Sequence, residues 1–310
     1  MISSVKLLPR ACAAARLRGM SKPDDNTLIA MPFGALHKWH GGMREAFAHI
    51  DEPDALQHLA SALAQLAGVE SMMISLERKD RAPQLLHQRG IAQEYQVSIL
   101  ERYFAGGYLL DPFCLAVEQG LAQGFYHLEE IAPDHFFDSD YYKTYYLNAG
   151  CSEDSYYIVD TGNDTKISLS LFQGFGGECL CAEQLNLLRA VEPLVREFIS
   201  EFSQRGMLRS REIQCDQDQG QRDDLKHRVQ SAFEHFGSDL LTERERQVAH
   251  MVLRGHSVKS TASQMGISPE TVRMHRKNLY TKLTINSQAE LFALFIDWLT
   301  QPAPTSQSPL

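Results

Sequence analysis

Two cations stand one helical turn apart in the stretch Ser268-Pro-Glu-Thr-Val-Arg-Met-His-Arg-Lys-Asn-Leu-Tyr-Thr-Lys-Leu283. The spacing predicts a helix with a fixed start: Ser268 can cap the first free N–H groups, and Pro269 suits the first helical position. Val272, Leu279 and Leu283 fall on one stripe, fit for packing. Arg273, Met274, Lys277 and Thr281 fall on the opposite arc. Two cations, a flexible apolar tip and a hydroxyl are what a DNA major groove accepts. An ordinary solvated face would read the same way if this helix stood alone.

It does not stand alone. Thr242 and Glu245 form a T-x-x-E capping box before a helix that buries Val248, Ala249 and Val252, and Gly255 ends it. A short helix follows from Ser257, with Ala262 and Met265 inward. Gly266-Ile267-Ser268 makes a tight turn into the two-faced helix. Ser287 and Glu290 repeat the capping pattern before a last helix carrying Leu291, Leu294, Phe295 and Trp298. Four short helices of this kind make a helix-turn-helix module.

The strings Leu241-Thr-Glu-Arg-Glu-Arg-Gln-Val248, Gly255-x-Ser257-x-Lys259, Gly266-Ile-Ser-Pro-Glu-Thr-Val-Arg-x-His275 and Asn278-Leu-x-x-Lys-Leu283 resemble the LuxR-type DNA-binding domain. One departure is Thr261, where that family usually has Ile. The resemblance implies a transcription regulator that reads double-stranded promoter DNA as a homodimer. It puts Arg273, Met274 and Lys277 at base edges, and Ser257, Lys259, Thr271 and His275 near phosphates. It also implies that Leu291, Phe295 and Trp298 pair two protomers. Read from the residues alone, His275 is as well explained by a packed, hydrogen-bonded histidine, and Phe295 and Trp298 by core.

A second stretch has site chemistry: Tyr103-Phe-Ala-Gly-Gly-Tyr108-Leu-Leu-Asp111-Pro112. It is similar to the region of acyl-homoserine lactone receptors, the quorum-sensing sensors, where tyrosines precede an Asp-Pro. The resemblance makes Asp111, Tyr103 and Tyr108 ligand contacts: the aspartate accepts from a ligand amide and a tyrosine bonds a carbonyl. The tryptophan that holds the lactone carbonyl in those receptors is absent, with Ile99 or Leu100 near its place. Asp-Pro also makes a capped turn without any ligand. Phe136, Phe137, Tyr141, Tyr142, Tyr145 and Tyr146 form an aromatic cluster fit for core, pocket wall or protomer contact. Ser168 and Ser170 either line a cavity or face water.

The elements that must hold these groups can be read in outline. Residues 1–35 read as a disordered leader, with Met20 or Met31 as alternative starts. Residues 36–50 and 54–67 read as amphipathic helices, 69–76 and 84–88 as strands, and 92–105 and 134–149 as helices. Strands follow at 155–159 and 166–172, joined by a turn at Gly162-Asn163-Asp164. Residues 183–202 read as a long helix. The expected fold class is α+β: an α/β/α sensor-like domain with an antiparallel sheet, PAS- or GAF-like, at 36–205, and an all-α four-helix module at 238–300. Residues 206–237 form a polar linker, with a short helix at 223–236, and 301–310 a disordered tail.

The net charge of −9 is unevenly placed. Residues 238–310 carry +2 and residues 1–25 carry +3, which leaves −14 on residues 26–237. A weakly basic module needs two copies to hold DNA well. No run approaches the ~20 apolar residues of a membrane span. Six scattered cysteines, without zinc spacing, read as reduced cytoplasmic thiols. No cofactor or metal is expected. Catalysis is not expected, since no nucleophile–base or metal-ligand spacing stands out. Two function classes remain: a regulator governed by a small-molecule effector, and one whose N-terminal part is a protein-interaction or dimerisation module without a ligand.

Overall fold

The computed structural model describes residues 27–29, 31–78, 83–96, 100, 103, 107–147, 151–162, 164–173, 179–208 and 235–300. The helices are α1 (Phe33–Ala48), α2 (Ala55–Ala67), α3 (Gln93–Gln96), α4 (Pro112–Glu118), α5 (Leu128–Ile131), α6 (Ala182–Gln204), α7 (Glu243–Leu253), α8 (Val258–Met265), α9 (Pro269–Leu283) and α10 (Gln288–Thr300). The strands are β1 (Ser71–Arg78), β2 (Gln84–Arg89), β3 (Gly124–His127), β4 (Glu153–Gly162) and β5 (Thr165–Gln173). They form one antiparallel sheet in the order β2-β1-β5-β4-β3. This is the α+β class expected from the sequence.

The period-2 alternation of β4 and β5 sorts two cores. Ile167, Leu169, Leu171, Tyr157 and Val159 join α1, α2 and α6 on one face. Asp154, Tyr156, Ile158, Ser168, Ser170 and Phe172 alternate with them and so point to the other face. There the tyrosine-rich segment packs, in an apolar cluster that continues without a break into α7–α10. Sensor and helix-turn-helix module therefore share packing.

Several sequence expectations change. The first helix begins at Phe33, earlier than residue 36. The helix expected over 134–149 is instead a 3-10 turn at Phe136–Asp138 and a π-helical turn at Tyr142–Tyr146. Ser139, extended between them, breaks the run, and its buried Oγ accepts from the N–H of Tyr142. Of the helix expected over 92–105, Gln93–Gln96 is present, and much of the rest lies outside the described residues. So do the leader up to residue 26, the linker from 209 to 234 and the tail. β3 is an addition, because four residues, Gly-Phe-Tyr-His, are too short to display alternation. Leu291 and Phe295 are fully buried within the chain, Phe295 under Phe236, so they are not a surface for pairing protomers; Trp298 keeps an exposed face.

Candidate functional site

α9 is held at both ends and along its length. Ser268 accepts from the N–H of Thr271 at 3.1 Å, Pro269 takes the first position, and Thr284 closes the helix in the left-handed conformation, φ 57°. Val272 and Leu279 are buried, and Leu283 is half-buried. Lys282 adds an anchor that sequence reading missed: its ammonium donates at 2.7 Å to Glu245, a buried carboxylate that also accepts from the Thr242 N–H at 2.8 Å. Burial pushes the Glu245 carboxyl up, but the bonds from Lys282 and Thr242 outweigh it and hold it below the usual range. Glu245 thus caps α7 and ties α9 to it. Its place in the capping box gave a sign of the first role only.

The opposite arc of α9 is open. Arg273, Met274, Lys277 and Thr281 are exposed, while Thr271 and His275 are half-buried. The Arg273 guanidinium donates to Glu270 at 2.9 Å, an exposed i,i+3 pair of the weak kind. The Thr281 hydroxyl turns back onto the Lys277 carbonyl at 3.0 Å. Arg276, which lay unremarked in the sequence, stacks over the Tyr280 ring and bonds its hydroxyl at 3.1 Å. On α8, Lys259 is exposed, and Thr261 is buried with its hydroxyl unbonded among the described residues, an unfavourable exchange for an aliphatic side chain there.

The N-terminus of α8 is engaged by the sensor. Asp134, in the loop after α5, accepts from the Ser257 N–H at 2.9 Å and from the Ser257 hydroxyl through its other oxygen. Beside it the His135 N–H donates to the Gly255 carbonyl at 3.0 Å. A Cβ on Gly255 would stand 2.8 Å from the Phe136 Cα, and Gly255 has φ 84°, a left-handed conformation. Gly255→Ala is therefore expected to destabilise the chain by about 1–3 kcal/mol, read as a lower thermal midpoint. An unchanged midpoint would show that the loop is not seated there.

On the sheet's second face lies a cavity of about 30 Å³, room for about two waters. Met73, Asp154, Tyr156 and Phe172 line it from the sheet, Tyr103 and Asp111 from the segment before α4, and Tyr141, Tyr145, Tyr146 and Cys151 from the π-helical region. The π-turn explains three of the tyrosines: widening to i→i+5 spacing sets Tyr145 and Tyr146 on either side of Tyr141. Tyr103 and Asp111, two of the three residues singled out in the sequence, meet here. Tyr108, the third, is buried edge-on against Tyr103 and is not among the lining residues. Phe136, Phe137 and Tyr142 form core around this region.

Asp111 has both roles weighed from the sequence. It caps α4, accepting from the Phe113 N–H at 2.8 Å, and it faces the cavity. Burial pushes its carboxyl up to about 7, against the bonds from Phe113 and Tyr103 that favour the charge. Asp154 was missed; its only signal was a charge opening an apolar strand. It accepts from the Ser170 hydroxyl at 2.9 Å, and burial, then the Asp111 charge, push its carboxyl well up. Ser170 is thereby a support for Asp154, and Ser168 bonds Ser75 and Glu77, so neither serine lines the cavity. The hydroxyls of Tyr141 and Tyr146 are buried without a hydrogen-bond partner among the described residues. Burial holds both phenols far above their usual range, so they stay protonated.

Among the described residues, Cys114, Cys151, Cys179 and Cys181 are not joined in disulfides. Among the described residues no cluster of three metal-ligating side chains occurs, and no helix is long and apolar enough to cross a membrane. Comparison with known proteins matches residues 239–295 to the family described as bacterial regulatory proteins, luxR family. An HTH-type transcriptional regulator in the exeN 3′ region of Aeromonas salmonicida is 34% identical over 202 residues, 64% of this chain and 100% of that protein. The transcriptional regulatory protein UhpA of Escherichia coli K12 is 46% identical over 59 residues, 19% of this chain and 30% of that one. Among solved structures, the VqsR LBD domain from Pseudomonas aeruginosa is 25% identical with a TM-score of 0.47, covering 54% of this chain and 96% of that chain. The two-faced helix lies inside the matched segment, and the similarity to the Aeromonas regulator runs the whole length of that protein: the chain belongs to the luxR family of bacterial regulatory proteins.

Proposed function

We propose that this regulator grips duplex DNA through α9 as a homodimer in the cytoplasm, without catalytic activity, and that the cavity on the sheet is an effector site that governs the grip. Arg273, Met274 and Lys277 meet base edges; Lys259, Thr271, His275 and Ser257 meet phosphates. The division of labour follows domains at 36–205 and 238–300 with a linker at 206–237. The observation that carries the reading is the open cationic arc of α9 on a helix capped at both ends and anchored through Lys282 and Glu245. Two modules, each weakly basic, place their recognition helices ~34 Å apart on successive major grooves. The exposed face of Trp298 is left to the contact between protomers.

Control is read from the seam. The Asp134 carboxylate holds the two Ser257 donors that a phosphate would use. One anion excludes the other, so the docked chain forgoes the phosphate bond at Ser257. An effector in the cavity acts on the same tyrosine segment that runs into the docked loop, and shifts the balance between docked and released modules. Replacing Asp134 with Ala is expected to raise affinity for promoter DNA about two- to tenfold, the worth of charge-assisted bonds at an exposed site. Fluorescence anisotropy with a labelled promoter fragment measures it. Weaker or unchanged binding would remove the seam from the mechanism. The small size of the cavity favours a second reading, in which the sensor is an interaction or dimerisation module that takes no ligand.

A further inference from the structure

We propose that the cavity takes a small organic cation, an ammonium on a short apolar body, held between Asp111 and Asp154 with tyrosine rings around it. The inference rests on reading this cavity as the effector site. Its polar inventory is one-sided. Asp111 and Asp154 line it, together with Tyr141 and Tyr146, whose hydroxyls are buried and bonded to nothing among the described residues. No Lys, Arg, His, Trp or side-chain amide is among the lining residues.

A neutral acyl lactone brings one N–H donor and several acceptors. It meets one aspartate at most and brings no positive charge to a cavity in which burial, and each aspartate's charge on the other, keep both acids from ionising together. An ammonium brings positive charge and up to three donors, enough for both aspartates. Aromatic ring faces attract such a cation further once water is excluded. The two tyrosine hydroxyls accept from the ligand's remaining donors or donate to a ligand oxygen. A cavity of about 30 Å³ holds the ammonium and about one carbon, and a longer body, a butyl group included, enters only by turning tyrosine rings aside.

The test compares charge at constant shape on the purified full chain at pH 8. Isobutylamine, its neutral isostere isobutanol, and N-hexanoyl-homoserine lactone are titrated by calorimetry. The amine is expected to bind at least tenfold tighter than the alcohol and tighter than the lactone. Asp154→Asn, which keeps a side chain able to bond Ser170, is expected to weaken the amine at least tenfold and to shrink its advantage over the alcohol. Lactone or alcohol binding as tight as the amine overturns the cation assignment but keeps the cavity as an effector site. Failure of all three to bind overturns both. The amine–alcohol comparison on the unaltered chain needs no variant to fold.

Discussion

Operator binding is expected to fall by about 1–3 kcal/mol, roughly 5- to 150-fold, when Arg273 is replaced by Ala, and by a similar factor for Lys277→Ala. Both side chains are exposed, and among the described residues Arg273 pairs with the exposed Glu270, so neither truncation removes core packing. Circular dichroism and thermal midpoint are expected to stay unchanged while affinity drops. Base contacts are distinguished from phosphate contacts by what else changes. Arg273→Ala should lower specific binding and leave non-specific binding nearly intact, relaxing the preference at one operator position. Lys259→Ala should weaken both alike and reduce the slope of log affinity against log salt by about 0.9, the share of one neutralised phosphate. Specific affinity that survives the Arg273 and Lys277 substitutions together would refute the assignment of α9 as the reading helix.

The second large effect concerns acid and base. Asp111 titrates near 3.8 when unfolded and at about 7 in the folded chain, because burial disfavours its charge. A raised carboxyl binds its proton more tightly in the folded state. Its stabilising contribution is complete below the unfolded value and is lost as pH climbs through about 7. The full span is on the order of 4 kcal/mol by pH 9. Asp154 moves in the same direction, its charge further opposed by that of Asp111. The loss falls between about pH 4 and 7, so the Asp111 contribution to the melting temperature is expected to be smaller at pH 9 than at pH 5.

Other groups titrate elsewhere or oppositely. Glu245, Asp134 and Asp160 are held below their usual range, so their contributions are lost only in acid. His256 is pushed down by burial and acts against folding as pH falls through its ordinary value. Comparing the chain with Asp111→Asn isolates the one carboxyl, since Asn can still cap α4. The variant should match the parent only below about pH 4, the unfolded value, gain on it steadily up to about pH 7, and melt several degrees higher at pH 9. Parallel melting curves across that range would show that Asp111 is not buried as described. A cationic effector should also protect most at high pH, where the uncompensated charge is greatest.

How far each of these sites was legible depends on where its information lies. α9 was readable residue by residue, because capping, helical periodicity and a four-residue spacing of cations are local properties of one segment. The same holds for the T-x-x-E box at Thr242 and for the hairpin at Gly162. The cavity was half legible: Tyr103 and Asp111 were reached through an Asp-Pro motif, whereas Asp154 and Tyr156 lie more than forty residues further on, in a strand. Their convergence depends on β4 taking its register beside β5, a long-range pairing that no window displays. Tyr141, Tyr145 and Tyr146 needed a π-turn to face one way, and α-helical periodicity scatters them.

The linear chain by itself determined that a capped, two-faced helix sits in a helix-turn-helix module, which of its faces is open, and that an acidic region of mixed helices and antiparallel strands precedes it. Tertiary structure alone decided that Leu291 and Phe295 are core, that Lys282 reaches Glu245, that two aspartates line one cavity, and that Asp134 lies on Ser257. The reason is physical. Backbone caps and side-chain periodicity act within a few residues and are written in order along the chain. Burial, charge pairing between distant carboxyls and the docking of one domain on another exist only once solvent has been excluded between segments far apart in sequence.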